Sequence, residues 1–409
     1  MRSWDSPEVP ALAVLGIDPS DVPVEVHDTA TGGLAALDVS KDELTLYVCG
    51  ITPYDATHLG HAATYLLFDQ LQRVCLDAGT TVRYVQNVTD VDDPLLERAA
   101  ATGEDWVVLA EREVALYRED MASLRILAPA EYVGAVEAIP DIVEAIVRLR
   151  DQGAAYDLDG DTYFAVSAAP GFGEVSHYDT ARMLALSAER GGDPDRVGKK
   201  DPLDCLLWQH ERPNDPAWDS ELGRGRPGWH IECAAIAMRH LGPTIDIQGG
   251  GEDLVFPHHE LSAAQAATLN GAAGFASHYV HQALLSYDGA KMSKSKGNLV
   301  FVSKLRAAGV DPMAIRLALL DHHHTVAWEW EDQDINAASE RLAMWRQSLA
   351  RSTAAPVEPL IEAMRTALRN GLDTPTALKA VDAWGLSKGI DAEAPAKARA
   401  ALDALLGVV

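Results

Sequence analysis

Two short strings constrain this chain more than any other feature: His58-Leu59-Gly60-His61, which follows an apolar run, and far downstream Lys291-Met292-Ser293-Lys294-Ser295. A glycine between two imidazoles lets a helix start approach a nucleotide closely, while the rings donate toward phosphate oxygens. The second string offers two ammonium groups, Lys291 and Lys294, on a polar loop suited to the charge that builds on departing pyrophosphate. Either string alone reads as a polar turn. Both on one chain, in this order, imply ATP used to activate a carboxylate as an acyl-adenylate.

The surrounding pattern agrees. Leu44–Cys49 reads as a buried strand, and apolar spacing at Leu66, Leu67, Leu71 and Val74 predicts a helix from about Ala62 to Ala78. Thr81–Val85 reads as a second strand. This strand–loop–helix–strand order predicts an α/β nucleotide-binding domain with a parallel sheet, with ligands at the carboxyl ends of its strands. Helices are expected at about Trp106–Leu127 and Ile139–Gln152, and a β-like stretch at Thr162–Val166. Residues 179–200 read as a polar loop, Thr244–Gln248 as a strand entering three glycines, and the chain after KMSKS as helical with breaks near 353–357, 370–375 and 385–395.

At 409 residues the chain is long enough for two or three domains. Its 47% hydrophobic and 23% charged residues are those of an ordinary globular protein. Neither a basic, apolar leader nor a run of 18 apolar residues occurs, so a cytoplasmic protein with no membrane contact is expected. Four scattered cysteines, Cys49, Cys75, Cys205 and Cys233, make no disulfide framework and are expected to be reduced. A net charge of −27, from 34 basic and 61 acidic residues, argues weakly against a nucleic-acid partner, because phosphate grips are usually basic.

Several further strings carry a resemblance: Tyr47-Val48-Cys49-Gly50-Ile51-Thr52-Pro53-Tyr54-Asp55 leading into HLGH, Asn87-Val88-Thr89-Asp90-Val91-Asp92-Asp93, Asp201-Pro202-Leu203-Asp204, and Gly228-Trp229-His230-Ile231-Glu232-Cys233. To these are added Gly249-Gly250-Gly251-Glu252-Asp253-Leu254, Phe256-Pro257-His258-His259-Glu260 and KMSKSKGN. From about Leu44 to Glu331 the chain resembles the class I aminoacyl-tRNA synthetases, in their cysteine-activating branch. The fold so implied is the Rossmann-like (HUP-type) parallel sheet with an insertion and a C-terminal helical bundle.

Nothing in the spacing of Cys49, Cys233 and His258 announces a metal, and composition alone would make the cysteines core residues. The resemblance implies otherwise: cysteine-activating synthetases hold zinc with two Cys, one His and one Glu. Three of those positions match here, and the fourth, four residues after His258, is Ser262. Three protein ligands with an open position describe a substrate-binding zinc. Zinc prefers a thiolate to an alcohol, so the ion would separate cysteine from nearly isosteric serine, which an apolar pocket distinguishes by only about 1–3 kcal/mol. Cys75 and Cys205 lack matching partners and are expected in the core.

The resemblance further implies adenylate contacts from Cys49, Gly50, Ile51, Thr52, Thr64, Asn87, Val88, Thr89, Trp229, Gly251, Glu252, Asp253 and Leu285. Asp253 would accept from ribose hydroxyls. Trp229 and Thr52 would shape the amino-acid pocket, and Asn87 and Thr89 would bond the substrate backbone. Three glycines alone also fit a tight loop, and Leu285 also fits a core leucine. His58, His61, Lys291 and Lys294 would stabilise pyrophosphate leaving with Mg²⁺. Asp55 and Asp253 are candidates, by location only, for the base that takes a proton from an acceptor amine.

The acceptor is read from departures. No anticodon-reading domain is expected after the bundle-like Gly371–Leu378, and residues 346–409 hold eight Lys/Arg and seven Asp/Glu without a base-stacking surface. With Ser262 and Glu189-Arg190-Gly191-Gly192-Asp193-Pro194, these departures resemble the cysteine ligases of mycothiol biosynthesis, which join L-cysteine to the amine of glucosaminyl-inositol. ATP, L-cysteine and glucosaminyl-inositol are therefore the expected partners of a monomer with one zinc. A shortened cysteinyl-tRNA synthetase and a non-enzymatic adenylate binder stay open; the first predicts a basic groove, and the second conflicts with intact HxGH and KMSKS. The expected layout is an N-terminal extension without chemistry of its own (1–43), a first catalytic half (44–125), an insertion (126–200), a second half (201–300), a stem-contact region (301–345) and a truncated bundle (346–409).

Overall fold

A computed structural model describes residues 1–18, 20, 22–54, 57–271, 274–292 and 297–409, except the side chain of Lys291. Asp55, Lys294 and the Lys291 side chain, all named above, thus lie outside the described residues.

Five parallel strands form the central sheet, in the order Ala276–Gln282, Ile245–Gly251, Glu43–Ile51, Thr81–Val88, Glu131–Gly134. The middle strands are buried on both faces over most of their length, and Glu43–Ile51 is accordingly mostly apolar, while Thr81–Val88 also buries Gln86 and Asn87. Helix Leu59–Asp77 follows the first strand and is buried along most of its length, so its apolar residues do not keep to one stripe. Because the strands are parallel, Ile51, Val88, Gly251 and Gln282 all end on one edge of the sheet.

A second, antiparallel sheet runs Ala155–Leu158, Asp161–Phe164, Cys205–His210, Gly225–Pro227. Its third and fourth strands lie beyond the boundary expected at residue 200, and the last feeds helix Trp229–Leu241. Helices Asp332–Leu349, Glu358–Arg369, Thr374–Leu386 and Ala394–Leu406 form the C-terminal bundle, separated near the predicted breaks.

Some local expectations fail for identifiable reasons. Residues 180–189 form a helix within the stretch read as loop: Asp179 caps it by accepting from Arg182 N at 2.8 Å, and only Met183 and Ser187 are buried, too few to show a period. A helix at Asp93–Thr102, capped by Asp92 and closed by Gly103 at φ 69°, was hidden in an alanine-rich run. The N-terminal segment forms a hairpin, Glu25–Asp28 with Gly33–Ala36, against the sheet edge, where Thr29 N donates to Tyr279 O at 2.8 Å. Among the described residues no helix is long and apolar enough to cross a membrane.

Candidate active site

The two signature strings meet through the backbone. Leu59 N donates to Val300 O at 2.9 Å and Val302 N to Thr57 O at 3.1 Å, so the segment after KMSKS pairs with the start of the HxGH helix. On its near side, Asn298 Nδ2 donates to Tyr287 O at 2.6 Å and Ala290 O at 3.1 Å, fixing the hairpin that carries Lys291. Leu285 begins that hairpin and is buried in the core.

His58 caps the helix: its Nδ1 accepts from Gly60 N at 3.1 Å, which leaves the proton on Nε2. The His61 ring stacks on it at 3.8 Å. A Cβ on Gly60 would fall 2.9 Å from His58 Cε1, so the glycine makes room first for the histidine ring folded over it. The three glycines of residues 249–251 have comparable internal reasons. Added Cβ atoms would meet Phe68 at 2.2 Å, Leu254 and His259 at about 3 Å, and the Asp253 carboxylate at 2.6 Å. Only the last, Gly251, leaves its neighbours Asp253 and Thr64 at the open edge of the sheet.

Beside this edge lies a buried sulfur–imidazole cluster. Cys49 lies near the end of strand Glu43–Ile51, Cys233 sits in helix Trp229–Leu241 and His258 in the turn after strand Ile245–Gly251; their ligand atoms all lie within 4.8 Å of one another. Cys233 Sγ is 3.1 Å from His258 Nε2. The strand register shifts between Val48 and Ile51, and Gly50, within that irregularity, lies so close to Asn87 that a Cβ would fall 1.6 Å from its carbonyl oxygen. Trp229 stacks on His258 at 4.2 Å, and His258 Nδ1 meets His230 Nδ1 at 3.0 Å.

Electrostatics suit a cation. Burial, then the neighbouring His230, pushes His258 well below its ordinary range, so its imidazole is neutral and can ligate. Burial lowers His230 to about 3. Burial and then Cys49 push the Cys233 thiol well up, so nothing in the protein alone makes it a thiolate; a metal ion would. Ser262 does not join the cluster. It is buried, with its hydroxyl between His259 O at 3.3 Å and Gln248 Nε2 at 3.1 Å.

Neighbours that sequence reading missed complete the picture. Glu232, buried next to Cys233, accepts from Asn87 Nδ2 at 2.7 Å and Thr89 Oγ1 at 2.8 Å, while Asn87 Oδ1 accepts from Gly50 N at 2.8 Å. The Asn87 and Thr89 side chains thus brace the Cys49 strand against the Cys233 helix. His259 Nε2 lies 3.3 Å from Cys49 Sγ, and its Nδ1 is 2.7 Å from His281 Nε2, whose Nδ1 is 2.6 Å from Thr29 Oγ1. The N-terminal segment thus packs against the main body and braces His281 through Thr29. Glu260 accepts from Gly173 N and Ser176 N, each at 2.7 Å, and so anchors the insertion loop. The only available signal was that these residues interrupt apolar runs inside the motifs. Cys75 and Cys205 are buried free thiols, each pushed up by burial to about 12, and Cys205 accepts from Gln265 Nε2 at 3.1 Å.

Residues 36–340 match the family described as the tRNA synthetases class I (C) catalytic domain. Two curated relatives named L-cysteine:1D-myo-inositol 2-amino-2-deoxy-alpha-D-glucopyranoside ligase align over all of this chain and all of their own. The one from Kribbella flavida is 56% identical and the one from Streptomyces coelicolor 58%. Among solved structures, Mycobacterium tuberculosis methionyl-tRNA synthetase in complex with methionyl-adenylate superposes with a TM-score of 0.61 at 15% identity, covering 90% of this chain and 92% of that one. A leucyl synthetase ternary complex from Agrobacterium radiobacter gives 0.61 at 11% identity, covering 95% and 84%. At such identities these two show the fold alone.

Proposed function

This chain belongs to the class I (C) tRNA synthetase catalytic-domain family, in its cysteine ligase branch, and from that premise we propose how its residues carry out the reaction. It is an amide-forming ligase that joins L-cysteine to the amine of glucosaminyl-inositol with ATP, as the names of those relatives state for the two substrates, and it serves mycothiol biosynthesis. The observation that carries the detailed reading is the convergence of Cys49, Cys233 and His258 beside the sheet edge where HxGH begins.

The donor set fits zinc: two buried thiols and one neutral imidazole, with Ser262 turned to Gln248 in place of a fourth ligand. Zinc held by Cys49, Cys233 and His258 would favour a substrate thiolate over an alcohol, and so select cysteine. Trp229, stacked on His258, walls the amino-acid side; Thr52 follows Ile51 at the mouth. Glu232, through Asn87 and Thr89, keeps that wall in register with Cys49 and Gly50.

In the first half-reaction the cysteine carboxylate attacks the α-phosphorus of ATP and pyrophosphate leaves with Mg²⁺. His58, with its proton on Nε2, and His61 donate to the phosphates; Lys294 and the Lys291 side chain, which lie outside the described residues, supply positive charge. Asp253 and the backbone of Gly251 and Glu252 hold the ribose, with Thr64 alongside. Leu285, Ile51 and Val88 complete the adenylate's surroundings. In the second half-reaction the unprotonated sugar amine attacks the cysteinyl carbonyl, the C–O bond to phosphate breaks, and AMP leaves as the amide forms and a proton is released.

Cysteine-dependent ATP–pyrophosphate exchange, followed by AMP release with glucosaminyl-inositol or with tRNA, tests this. Exchange with cysteine and AMP release with the amino sugar are expected. Stimulation by tRNA alone would replace the acceptor, and absence of exchange would end the enzymatic reading.

A further inference from the structure

The stretch Glu189–Pro194 takes no part in the chemistry above, yet its conformation is closely specified. Gly191 adopts φ 84°, and a Cβ on Gly192 would fall 2.2 Å from Ser187 Oγ, so the chain can fold back over its helix end only with glycines there. Beyond them, Asp193 accepts from the Tyr163 hydroxyl at 2.5 Å and from Lys199 Nζ at 3.0 Å, which ties the segment to the antiparallel sheet. Arg190 reaches the opposite way. Its Nη1 donates to the main-chain carbonyls of both Asp253 and Phe256.

Those two carbonyls lie in the turn of backbone that leaves strand Ile245–Gly251, made of two short helical pieces, Glu252–Leu254 and Val255–His259, with a break at Phe256. One end of the turn carries the Asp253 carboxylate, folded over Gly251; the other carries His258, whose Nε2 meets Cys233. Main-chain carbonyls beside the break at Phe256 need donors, and the two N–H bonds of the planar Nη1 can hold two of them at a fixed separation. The segment that distinguishes this chain from the tRNA-charging pattern is thus hydrogen-bonded to the piece of backbone joining the nucleotide side of the site to its metal side.

We propose that Arg190 is a positioning residue, which holds the spacing between Asp253 and His258 so that the ribose and the cysteine side chain are bound in register. The proposal rests on the roles given to those two residues above. Arg190 touches neither reacting atoms nor ligand atoms and acts only through the turn. Asp193 and the antiparallel sheet supply the fixed end against which it works.

The test is the zinc-loaded full chain in cysteine-dependent pyrophosphate exchange. Arg190→Ala should raise KM for ATP and for cysteine together, each about tenfold, while kcat changes by less than about threefold. Millimolar guanidinium should bring both KM values back in that variant and leave the parent enzyme unmoved. Arg190→Lys, whose Nζ stops one bond short of the Nη1 position and so cannot reach both carbonyls from the same backbone, should fall between. Wild-type KM values in Arg190→Ala, with or without a smaller active fraction, would make the residue a structural strap and overturn the proposal. A rise in only one KM would overturn it too. If Arg190→Ala does not fold, Arg190→Lys decides, and unchanged KM values refute the idea. Were the parent enzyme to show no exchange with cysteine, the functional reading would have failed instead. Direct titration with ATP would then read the clamp, with weaker binding by the variants supporting it and equal binding overturning it.

Discussion

His258 Nε2 lies 3.1 Å from Cys233 Sγ, although one residue sits in a turn and the other on a helix. Both are fully buried, so the pair is held by the packing of Trp229 on His258 and by the Glu232–Asn87–Thr89 bonds beside it. Cys233→Ser and His258→Ala should each lose most of the bound zinc, and KM for cysteine should rise by at least about tenfold. Metal analysis together with exchange kinetics checks this; full metal content in either variant would contradict the ligand assignment.

Ser262 occupies the position of the missing fourth ligand but bonds Gln248 and His259 O. Ser262→Ala should leave metal content and KM for cysteine unchanged while costing about 1 kcal/mol of stability, the net worth of a buried hydrogen bond. Urea unfolding and metal analysis distinguish this from a ligand role, in which zinc would be lost.

Gly60 is overlain by the His58 ring, which leaves 2.9 Å for a Cβ. Gly60→Ala should displace that ring, break its stacking with His61 and lower kcat for exchange by about 100-fold or more, the scale of losing one transition-state donor. Binding of cysteine at the metal side should change little. An alanine variant with parental kcat would show that His58 does not act from this position.

Asp69 links the HxGH helix to the C-terminal bundle: it pairs with Arg73 at 2.8 Å and with Arg316, and both arginines also donate to carbonyls at the end of helix Ala394–Leu406. Burial alone would push its carboxyl up, but Arg316 and Arg73 together hold it below the ordinary value. Asp69→Asn strands two buried guanidinium groups and should cost about 3–5 kcal/mol. The sign with pH follows. A carboxyl lowered by folding stabilises fully above its unfolded value, near 4, and the contribution is lost as pH falls through the folded value. The stability gap between parent and variant should therefore shrink on acidification below about pH 4. A gap that widens there would contradict the pairing.

The nucleotide-binding half was legible because HxGH and KMSKS carry their chemistry locally and the strand leading into HxGH, Leu44–Cys49, is mostly apolar. The sulfur cluster was not legible from spacing. Cys49, Cys233 and His258 come from a strand, a helix and a turn that only the sheet topology brings together, so the resemblance alone pointed to them. His259, His281 and Glu232 escaped notice because their roles depend on what they face across the core. Helix Thr180–Glu189 escaped because it buries so little of itself. Arg190 lay within a stretch noted only for its resemblance to the cysteine ligases, and its partners are backbone carbonyls, which leave no trace in sequence.

The central claim is that sulfur–metal coordination selects the amino acid. Elemental analysis of the purified chain, paired with exchange kinetics on cysteine and serine before and after chelation, tests it most directly. One zinc per chain is expected, with a strong preference for cysteine that collapses on chelation and returns with added zinc. A metal-free chain that still separates cysteine from serine would contradict the account.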